Sequence, residues 1–203
     1  MTKRNKKGFT LIELLVVIAI IAILAVVVVL TLNPAELLRQ SRDSSRISDF
    51  ATLKSAITLY VVDATSPNLA SSSLGYAACY LSTTLSNGTT TPNCGVFSTT
   101  HPSGDSSTTS ALYRSNNSFG WLPVNFSQLS YGTPLSALPV DPVNNANNYY
   151  AYAATTTGGY YFELDTFMES KKYNASGTND VVSTDGGDNN KAYEIGNQPG
   201  LNL

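Results

Sequence analysis

The chain has 203 residues, room for one ordinary domain or a domain with an appendage. Hydrophobic residues make up 42% and charged residues 13%, against roughly 25% charge in soluble domains, which excludes a disordered, charge-rich chain. A net charge of −2 leaves no basic excess for strong nucleic-acid binding by the protein, and one His with two Cys is too few for an ordinary zinc site.

Residues 1–8 form a short basic leader carrying Lys3, Arg4, Lys6 and Lys7. From Leu14 to Leu30 there are 17 consecutive residues, all Leu, Val, Ile or Ala. As a helix this run is about 25 Å long. The flanks Phe9–Ile12 and Thr31–Leu32 bring residues 9–32 close to the roughly 30 Å of a bilayer's hydrocarbon core. The basic end is expected to stay in the cytoplasm. An ordinary secretory signal fits poorly, because Ala22 and Ala25 lie inside the apolar run instead of marking a cleavage site after it.

Glu13 is the one ionisable side chain between Phe9 and Ala35. A carboxylate in lipid costs roughly 3 kcal/mol and points to function. Cleavage between Gly8 and Phe9 would give Phe9 a free amino group. Phe9 and Glu13 are four residues apart, on one helix face. The resulting charge pair could close within a chain or between neighbouring chains, where it would set their register.

The stretch Gly8-Phe9-Thr10-Leu11-Ile12-Glu13-Leu14-Leu15 resembles the signal of type IV prepilins and type II secretion pseudopilins. The resemblance covers about 25 residues. It implies cleavage after Gly8 by a membrane prepilin peptidase, N-methylation of Phe9, and neutralisation of the Phe9 amine by Glu13 of a neighbour. It further implies a bacterial inner-membrane precursor, an assembly platform in that membrane, and a filament whose core is bundled apolar helices. Physical chemistry points the same way, since a helix apolar all round must be buried in lipid or in other helices. The Val26–Val29 run has modest intrinsic helix propensity and suits a packed or lipid-bound helix. Four of the 12 basic residues lie in the leader, so its removal leaves eight Lys and Arg against 14 Asp and Glu.

Asn33-Pro34-Ala35-Glu36 reads as a helix start, with Asn33 as cap and Pro34 in the first helical position. Pro34 removes an N–H and predicts a kink or melted turn near Leu30–Asn33. A second helix is expected from Pro34 to about Asp63, with Phe50, Leu53, Ile57, Tyr60 and Val61 on its apolar face. Its first half carries Glu36, Arg39, Arg42, Asp43, Arg46 and Asp49. Arg39–Asp43 and Arg46–Asp49 have helical pair spacing. These charges read either as a solvated, salt-bridged helix face or as charge complementarity between filament subunits, in which case sign reversal at Arg42 or Arg46 would impair assembly.

Ser66-Pro67-Asn68 ends that helix. Ser82–Ser110 is dense in Ser and Thr, with a turn signal at Asn87-Gly88, and reads as a long surface loop. Asn-x-Ser/Thr triplets occur at Asn87, Asn116, Asn125 and Asn174, a chance outcome of this composition. A head outside the cytoplasm is in oxidising surroundings, so Cys79 and Cys94 are expected to form a disulfide. Leu135–Pro142 reads as an extended connector, followed by a hairpin in which Tyr149–Ala154 and Tyr160–Asp165 flank a Thr-Gly turn. Alternation puts Tyr160, Phe162 and Leu164 on one face and Tyr161, Glu163 and Asp165 on the other. The Leu-Pro-x-Asp-Pro connector before a Tyr-rich hairpin is similar to major pseudopilin heads. The tyrosines themselves are explained by sheet propensity and core packing.

The tail places Asp180, Asp185 and Asp188 around Gly186-Gly187. Oxygen ligands on a Gly-rich loop suit Ca²⁺, and major pseudopilins resemble this in binding calcium near the C-terminus. Catalysis finds no support: His101 is the single His, a Cys79–Cys94 bridge would remove any thiolate, and no phosphate-cradling loop occurs. The reading is an α+β fold, a long two-part N-terminal helix on a small antiparallel sheet. Its divisions are the leader 1–8, hydrophobic helix 9–32, amphipathic helix 33–64, Ser/Thr-rich loop region 65–135 with the disulfide, and sheet head and tail 136–203. The expected role is a filament subunit. A minor or tip pilin acting in adhesion or DNA uptake, a secretion pseudopilin and a solitary anchored surface protein are the alternatives.

Overall fold

The computed structural model describes residues 8–70, 76, 78–83, 94–97 and 112–203. Two helices, α1 (Leu11–Leu32) and α2 (Pro34–Asp63), precede four strands: β1 (Tyr80–Leu81), β2 (Tyr150–Thr155), β3 (Tyr161–Thr166) and β4 (Tyr193–Gly196). The strands form one antiparallel sheet in the order β1-β2-β3-β4, so the fold is α+β. Contacts divide the chain into two compact units, Met1–Leu38 and Arg39–Leu203.

In the first unit α1 begins at Thr10, whose side chain caps the helix in a reciprocal capping box with Glu13. The helix ends at Asn33, a left-handed residue with φ 44° and ψ 73°. Pro34 has no N–H to continue the ladder, and Asn tolerates this conformation better than most residues. The Asn33 carbonyl then accepts from the Glu36 amide at 3.0 Å and the Leu37 amide at 3.3 Å, opening α2. The break expected over Leu30–Asn33 is therefore confined to Asn33, because the helix keeps its ladder through Leu32.

In the second unit α2 buries Asp43, Arg46, Phe50, Leu53, Ala56, Ile57 and Tyr60, which recur at helical spacing. This stripe packs in one apolar cluster with Tyr80, Tyr150, Tyr152, Ala154, Phe162 and Leu164 from one face of the sheet. Phe50 meets Tyr150 edge to face at 4.9 Å between ring centroids, a favoured aromatic geometry. The Tyr152 hydroxyl, fully buried, donates to the Leu69 carbonyl at 2.9 Å. Trp121, Leu122, Val124 and Phe126 join the same core from a stretch without strands that was expected to be loop. The hairpin matches its expected turn, with Thr155 opposite Tyr161. Tyr160, placed by alternation beside Phe162, instead precedes β3 and is 40% exposed.

The opposite face of the sheet is also covered. Ala151 and Ala153 lie in a second apolar cluster with Cys79, Leu81, Cys94, Val96, Phe97, Tyr149, Ala192 and Leu203. Sheet alternation therefore carries Glu163 and Asp165 into the interior instead of into solvent, and both are fully buried.

Candidate functional site

Gly8 and Phe9, the expected cleavage point, are exposed. Gly8 has nothing within 4 Å of the position a Cβ would take, and Phe9 is 80% exposed. Extended Thr10 turns the chain into α1, and its amide and hydroxyl donate to Glu13 Oε2 at 2.9 and 2.7 Å. The Glu13 amide donates back to Thr10 Oγ1 at 3.3 Å. Glu13 thus sits at the third helical position, where the helix dipole favours a carboxylate. The spacing Thr10-x-x-Glu13 carries this capping signal in the sequence. Beyond it, Leu11–Val29 is long and apolar enough to cross a membrane and none of it is buried.

Two of the charges of α2, Asp43 and Arg46, are buried, against expectation. Arg46 is neither solvated nor available to another subunit, because its side chain is fully buried. Its Nε and Nη2 donate to Asp141 Oδ2 and Oδ1 at 2.6 and 3.0 Å, a bidentate fork. Its Nη1 donates to Asp43 Oδ1 at 2.7 Å and to Glu169 Oε2 at 2.8 Å. Burial acts to lower the Arg46 pKa, but hydrogen bonds and charge from Asp141, Glu169 and Asp43 outweigh it and raise the value. Arg42 adds a second fork to Glu169, at 2.7 and 3.0 Å. The Arg42 hydrogen bond, ahead of the contribution from Arg46, holds the Glu169 carboxyl below its ordinary range.

Asp43 also accepts from the Glu169 and Ser170 amides, so it ties α2 to the segment after β3. Asp49, expected to pair with Arg46, instead accepts from the Tyr150 hydroxyl at 2.8 Å. The expectation fails because Arg46 turns to Asp43 on its own helix and to two partners 95 and 123 residues away, on the connector and beyond β3. The connector is fixed in its turn: Arg114 Nε donates to the Leu138 carbonyl and Trp121 Nε1 to the Pro139 carbonyl, each at 2.9 Å.

Cys79 and Cys94 form the expected disulfide, with a Cα–Cα distance of 5.9 Å. The three tail aspartates do not gather around one point. Asp180 is solvent-facing and accepts from the Ser176, Val182 and Ser183 amides, which makes it a turn former. Asp185 accepts from the Gly187 and Glu194 amides, and Asp188 is exposed. Among the described residues, the acidic group close enough to share an ion is Glu163, Asp165 and Glu194. Burial first, then their mutual charge, pushes the Asp165 carboxyl well up and that of Glu194 to about 8.

The side-chain amides of Asn116 and Asn174 are engaged with the carbonyls of Leu135 and Met168, and the Asn125 side chain caps a short turn at Phe126–Gln128. His101, the Asn87-Gly88 turn, most of Ser82–Ser110 and the leader lysines and arginine lie outside the described residues.

A family model for the prokaryotic N-terminal methylation motif matches residues 3–29. No curated protein and no solved structure matches the chain. The match spans the segment in which Gly8, Phe9, Glu13 and the apolar helix stand. The motif implies prepilin peptidase processing and pilus assembly in general, and the apolar helix fits membrane anchoring of a precursor. The chain carries a prokaryotic N-terminal methylation signal of the type IV pilin and pseudopilin type.

Proposed function

We propose that the chain is the structural subunit of a type IV pilus-like filament. It enters the inner membrane with its basic leader in the cytoplasm, is cleaved after Gly8 by prepilin peptidase and is methylated at the Phe9 amine. An assembly platform in that membrane then passes it into the filament. The observation that carries the reading is the methylation motif at residues 3–29, which takes in the apolar span Leu11–Val29, none of it buried among the described residues. Neighbouring copies bury that helix at about 25 cal/mol per Å² of apolar surface. Glu13 meets the Phe9 amine of the adjoining copy and so selects one axial register, since any other leaves a carboxylate unpaired among apolar side chains. The Thr10 hydroxyl and amide hold that carboxylate at the helix entrance until the pairing forms.

The test is Glu13→Gln, which keeps shape and removes charge. Precursor insertion should be unchanged, while sheared surface filaments should fall by tenfold or more, the factor equivalent to about 1.4 kcal/mol of lost pairing. Filaments at the normal level would contradict the pairing.

A further inference from the structure

Glu163 and Asp165 stand two residues apart on one face of β3, and Asp165 is the register partner of Glu194 on the edge strand β4. All three residues are at most 1% exposed. One carboxyl oxygen from each lies within 4.8 Å of the other two. Glu163 hydrogen-bonds to both Asp165 and Glu194. An ionised carboxylate only accepts, so each such bond needs a proton on one of its two carboxyls. Backbone amides complete the set: Leu203 donates to Glu163 and Asn189 to Glu194, each at 2.9 Å. The carboxyls therefore tie β3 to β4 and to tail residues on either side of β4.

Among the described residues no Lys or Arg forms a salt bridge with these three, and segments 71–75, 84–93 and 98–111 contain no Lys or Arg. Lys54 of α2 lines a surface cleft with Glu194 and Asp185 without pairing to either. The tail contributes Asp185 and Asp188, whose negative potential reaches the cluster, and Tyr149, just ahead of β2, feels the charge of Asp165. Glu163 and Asp165 lie opposite Ala153 and Ala151, on the face covered by Cys79, Val96, Phe97 and Leu203. Burial in these surroundings raises all three carboxyls above the ordinary carboxylate range. Gly187 lets the tail turn pass against Glu194, where a Cβ would collide with the carboxyl group.

We propose that Glu163, Asp165 and Glu194 share protons as a latch that closes β4 and the tail onto β3 and opens as the pH rises. The latch holds while the carboxyl–carboxyl bonds keep their protons. In alkali the protons pass to solvent and leave like charges facing one another across the β3–β4 seam. β4 has four residues and one neighbouring strand, so it gives way first. The folded carboxyls keep protons that the unfolded chain has released above about pH 4. Stability therefore falls as pH rises from there and levels off once the folded groups have ionised, at about 8 for Glu194. The latch is independent of the N-terminal signal and is tested without filaments.

The experiment is thermal unfolding of the full-length protein in detergent, with EGTA throughout, from about pH 5 to about pH 9. One carboxyl held about two units above its unfolded value changes the folded-to-unfolded ratio roughly 100-fold across that range, so the wild-type Tm should fall by about 5 °C or more. Glu163→Gln with Asp165→Asn keeps shape and hydrogen-bonding capacity but cannot ionise, and should lose at least half of that fall. Infrared spectra of the folded wild type should show the C=O stretch of an un-ionised carboxyl near neutral pH and lose it in alkali. Hydrogen exchange, with labelling times corrected for intrinsic rates, should show the amides of β4 losing protection first. A wild-type Tm that holds steady over this range would overturn the proposal, as would an equal fall in the double variant. So would the absence of the un-ionised carboxyl band near neutral pH, or protection lost evenly over the sheet.

Discussion

Replacing Arg46 by Met removes a buried cation while keeping side-chain length. Asp43 and Asp141, at 0% and 2% exposure, then lose their positive partner. Breaking a buried ion pair from one side costs about 3–5 kcal/mol. Here the stranded carboxylates keep some backbone donors, Glu169 and Ser170 for Asp43, Val143 and Asn144 for Asp141. That places the expected loss near the lower end, about 3 kcal/mol, or a fall in Tm of roughly 6–12 °C for a chain of this size. Urea unfolding of the full-length protein in detergent measures it, followed by the fluorescence of Trp121, the single Trp and a core residue. Arg46→Lys keeps the charge but not the planar fork to Asp141 and should fall between the two. A loss under about 1 kcal/mol for Arg46→Met, the range of exposed ion pairs, would refute the clamp.

The Cys79–Cys94 bridge closes a loop of sequence separation 15, so the double change to Ser should cost about 3 kcal/mol in the same urea assay. A cost near zero would argue that the bridge constrains nothing. Glu169 is held below its ordinary pKa chiefly by the hydrogen bond from Arg42. A depressed carboxyl contributes stability above its unfolded pKa, about 4.3, and that contribution drains away as pH falls through the lower folded value. Acid titration of stability should therefore be steeper below about pH 4.5 in the wild type than in Glu169→Gln. Superimposable profiles would count against the Arg42–Glu169 contact.

What the sequence made legible was what depends on neighbours along the chain. The 17 apolar residues from Leu14 to Leu30 announced α1, Asn33-Pro34 its end, and the spacing of Phe50, Leu53, Ile57 and Tyr60 the buried face of α2. The hairpin followed from alternation around a Thr-Gly turn. What stayed hidden depends on long-range contact. Arg46 has the helical spacing of a surface pair with Asp49, and only folding brings Asp141 and Glu169 to it. Glu163 and Asp165 lie on the polar face of a strand that reads as half-exposed. The covering of that face by Cys79, Val96, Phe97 and Leu203 has no local signature. β1 and β4 have two and four residues, below the length at which alternation is readable. The tail aspartates Asp180, Asp185 and Asp188 do not gather in the fold, and the carboxylates that do lie on β3 and β4.

The proposed function requires that the precursor is trimmed between Gly8 and Phe9 to expose a methylated amine for Glu13. The most direct measurement is intact-mass analysis with N-terminal sequencing of the protein from sheared surface filaments. A chain beginning at Phe9 and one methyl group heavier than its residues require is the expected result. A mature chain still carrying Met1–Gly8, or starting at any other residue, would contradict the account.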